Sequence, residues 1–118
     1  MGYKFALIGL GEIAKHYSSL LNLNNIHLIS IVDKEPSPIA EKYFQKIRRY
    51  FDYRKLYSQD IDFVLVATTA ENHYTIIKDL LVHKISVVSE KPLAGSHNEI
   101  LELYKLAKKN NVNLIPIY

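Results

Sequence analysis

The sequence predicts an α/β fold in which a parallel sheet is covered by helices on both faces. Short apolar segments alternate along the chain with segments of helical periodicity, and no repeat or low-complexity linker interrupts them. The apolar segments carry Ile, Val, Leu and Phe at successive positions, as expected of strands that are buried on both sides. With 118 residues, of which 48% are hydrophobic, residues 1–118 have the size of one domain with a sizeable core.

Six segments are predicted strands. Five are strong candidates and one, RRYF, is weaker; the strong ones read KFALIGL, HLISIVD, DFVLVAT, ISVVSE and NLIPIY. Pro116 has no amide hydrogen, which places the last strand at a sheet edge or at its own end. Right-handed crossovers then favour a doubly wound parallel six-stranded sheet with strand order 3-2-1-4-5-6, in which the sixth strand is an edge.

Three apolar stripes at helical spacing are predicted core faces of helices. They are Ile13, Ala14, Tyr17, Leu20 and Leu21, then Tyr74, Ile77, Leu80 and Leu81, then Ile100, Leu103, Tyr104 and Ala107. Ser37 before Pro38 predicts a helix start, and Ser96 followed by Glu99 fits a capping box.

Composition excludes several classes of function. The absence of cysteine removes disulfides, thiolate zinc sites and a cysteine nucleophile, and it suits a cytoplasmic protein. No apolar run approaches the roughly 20 residues that span a bilayer, and no signal peptide is apparent, so neither a membrane nor secretion is expected. The net charge is +3, but the basic residues are scattered, and the cluster from Lys105 to Lys109 falls at a predicted helix C-terminus. Nucleic-acid binding is therefore not expected.

A glycine pattern marks the junction of the first strand and the first helix. Gly9, Gly11 and Ala14 form G-x-G-x-x-A, in which the first glycine permits a tight turn and the second lets a pyrophosphate approach the backbone. Free amides at the start of the helix then face the phosphates. The sequence thus predicts a dinucleotide-binding Rossmann turn made by Gly9, Leu10, Gly11, Glu12 and Ile13.

Asp33 ends the second strand 22 positions after Gly11. A carboxylate at this offset can accept both hydroxyls of the adenosine ribose, and it would repel the additional phosphate of NADP. NAD is therefore the predicted cofactor and NADP the less favoured one, although Lys34 adds a cation that partly offsets the repulsion. The alternative is that Asp33 caps a strand or loop, and that the glycines form an ordinary turn.

Two further motifs carry a family resemblance. Residues 68–73 read T-T-A-E-N-H after the fourth strand, and residues 90–92 read E-K-P after the fifth. Together with the glycine pattern they resemble the Gfo/Idh/MocA oxidoreductases, whose cofactor domains carry T-P-N-x-x-H and E-K-P at these places. Thr69 stands where that motif has proline and Ala70 where it has asparagine. The resemblance covers essentially the whole chain.

The resemblance implies functional roles for several residues. Lys91 would lie beside the nicotinamide, hold a substrate hydroxyl and assist proton movement, which makes it the candidate catalytic residue. Glu90 would orient Lys91 or contact the nicotinamide ribose, and Thr68 and Thr69 would complete the cofactor site. His73 would either approach the cofactor or simply lie in the first turn of a helix. The structural alternative for Lys91 is a solvated cation at a strand end.

The remaining histidines carry no predicted chemistry. His16 is interpreted as a packed or capping residue, and structural positions are expected for the other three, His27, His83 and His97. None of the histidine pairs has metal-ligand spacing, so no metal site is predicted.

Members of this family continue after the sixth strand into a second α+β domain that supplies substrate contacts and much of the oligomer interface. Since the sequence ends at Tyr118, we expect an excised cofactor domain or a truncated gene product. The intact protein would be a homo-oligomeric dehydrogenase acting on a sugar, cyclitol or nucleotide-sugar hydroxyl, and the 118-residue chain a silent monomer or weak dimer. The alternatives are a stand-alone NAD-binding module or redox sensor without catalysis, and a Rossmann domain that binds nothing.

Overall fold

The structure, a computed structural model, describes residues 2–9, 25–33, 42, 44–68 and 70–117. Within these residues the elements follow in the order β1 Tyr3–Ile8, β2 Ile26–Val32, β3 Arg48–Tyr50, a 3-10 helix at Tyr53–Ser58, β4 Phe63–Val66, α1 Ala70–Val82, β5 Ser86–Glu90, α2 His97–Lys109 and β6 Leu114–Ile117. The predicted helix at residues 13–21 and the predicted helix start at Ser37 lie outside the described residues.

The six strands form one parallel sheet with the order β3-β2-β1-β4-β5-β6. The predicted doubly wound Rossmann order is therefore confirmed, including the weak candidate at Arg48–Tyr50, which is a three-residue edge strand. Pro116 lies in the opposite edge strand, in register with Ser89 of β5. After β3 the chain crosses back over β1 to begin β4, so the order reverses between β1 and β4 and opens a crevice at their carboxyl ends.

The core lies on both faces of this sheet. Successive residues of β1 point to opposite faces, and Phe5, Ala6 and Leu7 are each fully buried. On one face the sheet packs against the apolar sides of α1 and α2, and on the other Phe5 and Leu7 pack with Leu28, Ile31, Phe44 and Leu65. Burial on both sides explains why the strands read as continuous apolar runs rather than as alternating ones.

The two described helices confirm most of the predicted core stripes. Ile77, Leu80 and Leu81 of α1 are fully buried, as is Leu103 of α2. Tyr104, in contrast, is 40% exposed, so the prediction that it belongs to the core is wrong. It lies one position beyond Leu103 at the margin of the buried side of α2, and its ring reaches solvent.

The predicted start of α2 is confirmed. Ser96 is the N-cap residue, and its hydroxyl oxygen accepts a hydrogen bond from the Glu99 amide at 3.2 Å. Lys108 and Lys109 lie in the last turn, where cations complement the helix dipole. None of the described helices has the length and apolar character needed to cross a membrane.

The connection from β3 to β4 contains the 3-10 helix, which the sequence analysis does not predict. Asp52 caps it by accepting the amide of Arg54 at 2.9 Å, and Leu56 is its one buried residue. The hydroxyl of Tyr53 donates to the carboxylate of Asp79 on α1, which ties this connection to the helix layer. With a single buried position in six residues, the segment has no periodicity from which a helix could be predicted.

Replacing Gly9 by alanine should destabilise the domain. Gly9 has φ of +93°, and a Cβ there would lie 2.7 Å from the carbonyl carbon and oxygen of Ala67. Backbone strain and overpacking each cost about 1–3 kcal/mol, so we expect a loss of about 3 kcal/mol in the free energy of unfolding by urea titration. Gly95→Ala is the matched control, since its Cβ would meet only Glu99 Oε1 at 3.6 Å. Equal stability of the two variants would contradict this account.

Acid unfolding should report on the cap of the 3-10 helix. The hydrogen bonds from the Arg54 guanidinium, followed by that from its amide, lower the pKa of Asp52 from 3.8 to about 2. A depressed carboxyl pKa contributes stability that is present above pH 3.8 and is lost as the pH falls towards 2. Asp52→Asn should therefore lose less stability than the wild type across this interval, measured by urea unfolding at each pH. Parallel curves for the two proteins would refute the assignment.

Candidate cofactor site

The backbone of the turn after β1 lies directly against the backbone at the end of β4. The amide of Gly9 donates to the carbonyl of Val32 at 2.9 Å, and the amide of Ala67 donates to the carbonyl of Ile8 at 2.8 Å. Any side chain on Gly9 would meet Ala67 and the amide nitrogen of Thr68 at 2.8 Å or less. The first glycine of the pattern thus permits both the turn and this close packing. Other predicted cofactor residues lie outside the described residues, namely Leu10, Gly11, Glu12, Ile13, Lys34 and Thr69.

Asp33 lies beside this turn, directly after β2. It follows Val32, whose carbonyl accepts the Gly9 amide, and its own amide donates to the carbonyl of Tyr50 at 3.1 Å. The backbone of Asp33 is therefore fixed between β1 and β3, and its side chain is half-buried. This arrangement brings the predicted ribose-binding carboxylate next to the predicted pyrophosphate turn.

His73 lies in the first turn of α1 and is 1% exposed. Its Nδ1 is 2.6 Å from the carbonyl oxygen of Pro92, and its Nε2 is 2.7 Å from that of Thr68. Both ring nitrogens are thus engaged by backbone atoms of the turns that follow β4 and β5. His73 thus lies in the first turn of a helix, and an approach of its ring to the cofactor stays a prediction.

Lys91 follows β5 immediately, and its side chain is exposed, whereas Glu90 is half-buried. The peptide bond between Lys91 and Pro92 is cis. The two residues after Pro92, Leu93 and Ala94, are buried at 4% and 5% exposure in the core that faces the helices. The loop that carries Lys91 is therefore anchored on its C-terminal side by apolar burial.

Sequence reasoning missed the residues that hold this loop. Leu93 and Ala94 anchor the loop in the core. The carbonyl oxygen of Pro92 lies within hydrogen-bond distance of Nδ1 of His73. The two apolar residues that follow E-K-P, Leu93 and Ala94, could have predicted that the loop is anchored in the core. The backbone carbonyl carries no such signal, because any residue supplies one.

The other described histidines take no part in the site. His83 uses Nδ1 to donate to the carbonyl of Asp79 at 2.8 Å, and its ring stacks on Tyr57 with centroids 3.6 Å apart. His27 and His97 are exposed. Across the residues that the structure describes, no three His, Asp or Glu side chains come together as a metal site.

The site residues form a row along one edge of the sheet. Asp33 follows β2, Gly9 follows β1, Thr68 follows β4 and Lys91 follows β5, and these four strands are neighbours in that order. Three strand spacings of about 4.8 Å make the row about 14 Å long. A carboxylate at one end, a glycine turn at the switch point and a lysine at the other end fit an extended dinucleotide.

A family model for oxidoreductases with an NAD-binding Rossmann fold matches residues 3–118. A D-apiose dehydrogenase from Rhizobium rhizogenes is 26% identical over 116 residues, which are 95% of this chain and 34% of that protein. The WlbA dehydrogenase from Chromobacterium violaceum, solved with NADH and UDP-GlcNAcA, is 26% identical with a TM-score of 0.88, over 98% of this chain and 35% of its own.

The fold is also shared with an oxidoreductase from Agrobacterium radiobacter solved with NAD+, L-tartaric acid and magnesium. That structure is 24% identical, with a TM-score of 0.88 over 98% of this chain and 35% of its own. The chain thus spans about a third of the length of these relatives. Since the family model covers nearly every residue, the chain belongs to the Gfo/Idh/MocA oxidoreductase family and has that family's NAD-binding Rossmann fold.

Proposed function

We propose that this chain is the cofactor-binding part of an NAD-dependent dehydrogenase that oxidises a hydroxyl group of a sugar, a cyclitol or a nucleotide sugar. The observation that carries the proposal is the row of Asp33, Gly9, Thr68 and Lys91 along the carboxyl edge of four neighbouring strands. The relatives support the substrate class, since one is named a D-apiose dehydrogenase and another was solved with UDP-GlcNAcA.

The adenosine half of NAD binds at the β1 and β2 end of this row. Backbone amides of the turn from Gly9 to Ile13 hold the pyrophosphate, and the carboxylate of Asp33 accepts the two ribose hydroxyls. Lys34 follows Asp33 in the sequence, and its positive charge would partly offset the repulsion between Asp33 and the additional phosphate of NADP. The backbone hydrogen bonds from Gly9 to Val32 and from Asp33 to Tyr50 support this assignment, because they fix the backbone that carries the carboxylate before the cofactor arrives.

The nicotinamide half binds over the turns that follow β4 and β5, beside Thr68 and Thr69. When bound, NAD accepts a hydride from the carbon that bears the reacting hydroxyl. Lys91 hydrogen-bonds that hydroxyl and assists the movement of its proton as the carbonyl forms, so that hydride and proton leave by separate routes. Glu90 orients Lys91 or binds the nicotinamide ribose.

The preference for NAD should depend on Asp33. A hydrogen bond to a charged group contributes about 1.5–3 kcal/mol, so we expect the wild-type chain to bind NAD roughly tenfold or more tightly than NADP in calorimetric titrations. Asp33→Ser should abolish that preference. Asp60→Ser is the control, because Asp60 lies at the amino end of β4 and pairs with Lys4. Equal affinity of the wild type for both cofactors would rule out this role.

Lys91 should affect turnover and leave cofactor binding intact. In the complete gene product, assayed with D-apiose, inositols and UDP-sugars, Lys91→Ala should lower turnover by about 10²–10⁴, the usual effect of removing a general acid–base group. NAD affinity, measured on the 118-residue chain, should stay within about twofold. Lys105→Ala on α2 provides a matched control for loss of an exposed cation. Unchanged turnover of Lys91→Ala on an identified substrate would overturn the proposal.

The 118-residue chain by itself should bind NAD without oxidising these substrates. Holding the substrate carbon about 3–3.5 Å from the reacting cofactor carbon contributes about 7–11 kcal/mol of barrier reduction, and one exposed lysine does not supply that positioning. The measurement is NADH formation at 340 nm with the same substrate panel. Substrate-dependent NADH formation by the isolated chain would contradict this expectation.

A further inference from the structure

His73 has both ring nitrogens within hydrogen-bond distance of carbonyl oxygens, at 2.6 Å from Pro92 and 2.7 Å from Thr68. A carbonyl oxygen only accepts hydrogen bonds, whereas a neutral imidazole has one donor nitrogen and one acceptor nitrogen. A neutral His73 would therefore direct a nitrogen lone pair at one of these oxygens. Because the ring is 1% exposed, bulk water does not separate the two atoms.

We propose that His73 is an imidazolium that donates to both carbonyls, and that it is the positioning residue for Lys91. One donor holds the loop that follows β5, at the residue next to Lys91, and the other holds the turn that follows β4. In this arrangement His73 acts through the backbone and does not touch the cofactor. Its importance for the reaction rests on the proposed function of Lys91.

The distances support two donated bonds. Hydrogen bonds from neutral N–H groups to oxygen cluster at about 2.9–3.0 Å, and those from charged donors are shorter, at about 2.7–2.9 Å. Both contacts of His73 lie at or below the lower end of the charged range. The N-terminus of α1 disfavours a cation in its first turn, so the two carbonyl dipoles provide the compensating stabilisation.

Three described charged residues lie within three positions of His73 or of its two carbonyl partners in the sequence. Glu71 lies two residues earlier on α1, and Glu90 and Lys91 lie at the end of β5. The turn after β4 contributes the hydroxyl of Thr68 and no charge.

The two hydrogen bonds of His73 connect the turns that follow β4 and β5. From the Pro92 carbonyl the connection runs through the imidazole to Thr68, whose backbone packs against Gly9. On its other side the Lys91 loop is fixed by the burial of Leu93 and Ala94. Together with this apolar burial, His73 therefore helps to set the position of the Lys91 backbone relative to Gly9.

Nitrogen NMR of the 118-residue chain with ¹⁵N-labelled histidine tests the protonation directly, near pH 7.5. We expect both ring nitrogens of His73 to have the chemical shift of protonated nitrogen and to carry slowly exchanging hydrogens. Its signals are assigned by their loss in His73→Gln. The exposed His83, whose Nδ1 is 2.8 Å from the carbonyl oxygen of Asp79, is an internal control with a single carbonyl partner. If either ring nitrogen of His73 had the ¹⁵N chemical shift of an unprotonated nitrogen, the inference would be overturned.

Hydrogen exchange tests the positioning. In His73→Phe, which keeps a ring but removes both donors, exchange of the amides in residues 90–95 should accelerate by about tenfold or more, while the amides of α2 stay unchanged. His73→Gln, which can donate to one carbonyl, should have an intermediate effect, and His83→Phe should have none. Unchanged exchange at residues 90–95 in His73→Phe would refute the positioning role.

The two proposals fail separately. If His73→Phe does not fold, the nitrogen shifts of the wild type still decide whether the ring donates twice, and His73→Gln still reports on the loop. If Lys91→Ala leaves turnover unchanged while both nitrogens of His73 are protonated, the proposed function of Lys91 fails and the imidazolium bridge stands.

Discussion

The close approach of two backbones, Gly9 after β1 and Ala67 after β4, is the constraint on which the rest of the site depends. With a Cβ on Gly9 placed 2.7 Å from the carbonyl of Ala67, every other amino acid would push the two strand ends apart. The same glycine donates its amide to Val32, so its position also aligns β2. Because the sheet order reverses between β1 and β4, this contact sets the geometry of the crevice that dinucleotides use in such folds.

The fold was readable from the sequence wherever burial was complete. Strands such as β1 are covered on both faces, which leaves a continuous apolar run that no helix or loop of this length resembles. Prediction weakened where burial was partial. The edge strand β3 has three residues and only partly covered side chains, and Tyr104 lies at the margin of an amphipathic stripe. At such positions the neighbouring elements, which the sequence does not place, decide whether a side chain is covered.

The placement of the candidate site residues could be predicted for a different reason. Parallel strands end at the same edge of a sheet, so residues that follow strands, such as Asp33 and Lys91, are brought together by topology without any knowledge of side-chain packing. The bonds of His73 could not be predicted in this way. Its partners are carbonyls 5 and 19 positions away in the chain, and a carbonyl is present at every residue. Such bonds depend on the path of the backbone, which periodicity and motif spacing do not specify.

Around Lys91, the residues that hold the backbone in place are buried, whereas the lysine side chain itself is exposed. An ammonium buried deeply enough to be held by its own packing would lose its hydration at a large cost. Here the side chain stays exposed, and the residues that follow it fix the backbone. The carbonyl of Pro92 is within hydrogen-bond distance of His73, and Leu93 and Ala94 are in the core. In the proposed role of Lys91, the fixed backbone on this side leaves only the side-chain torsions to be ordered when a substrate binds, which limits the entropy lost on binding. Positioning through neighbours would thus keep the amine accessible while its range of positions stays small.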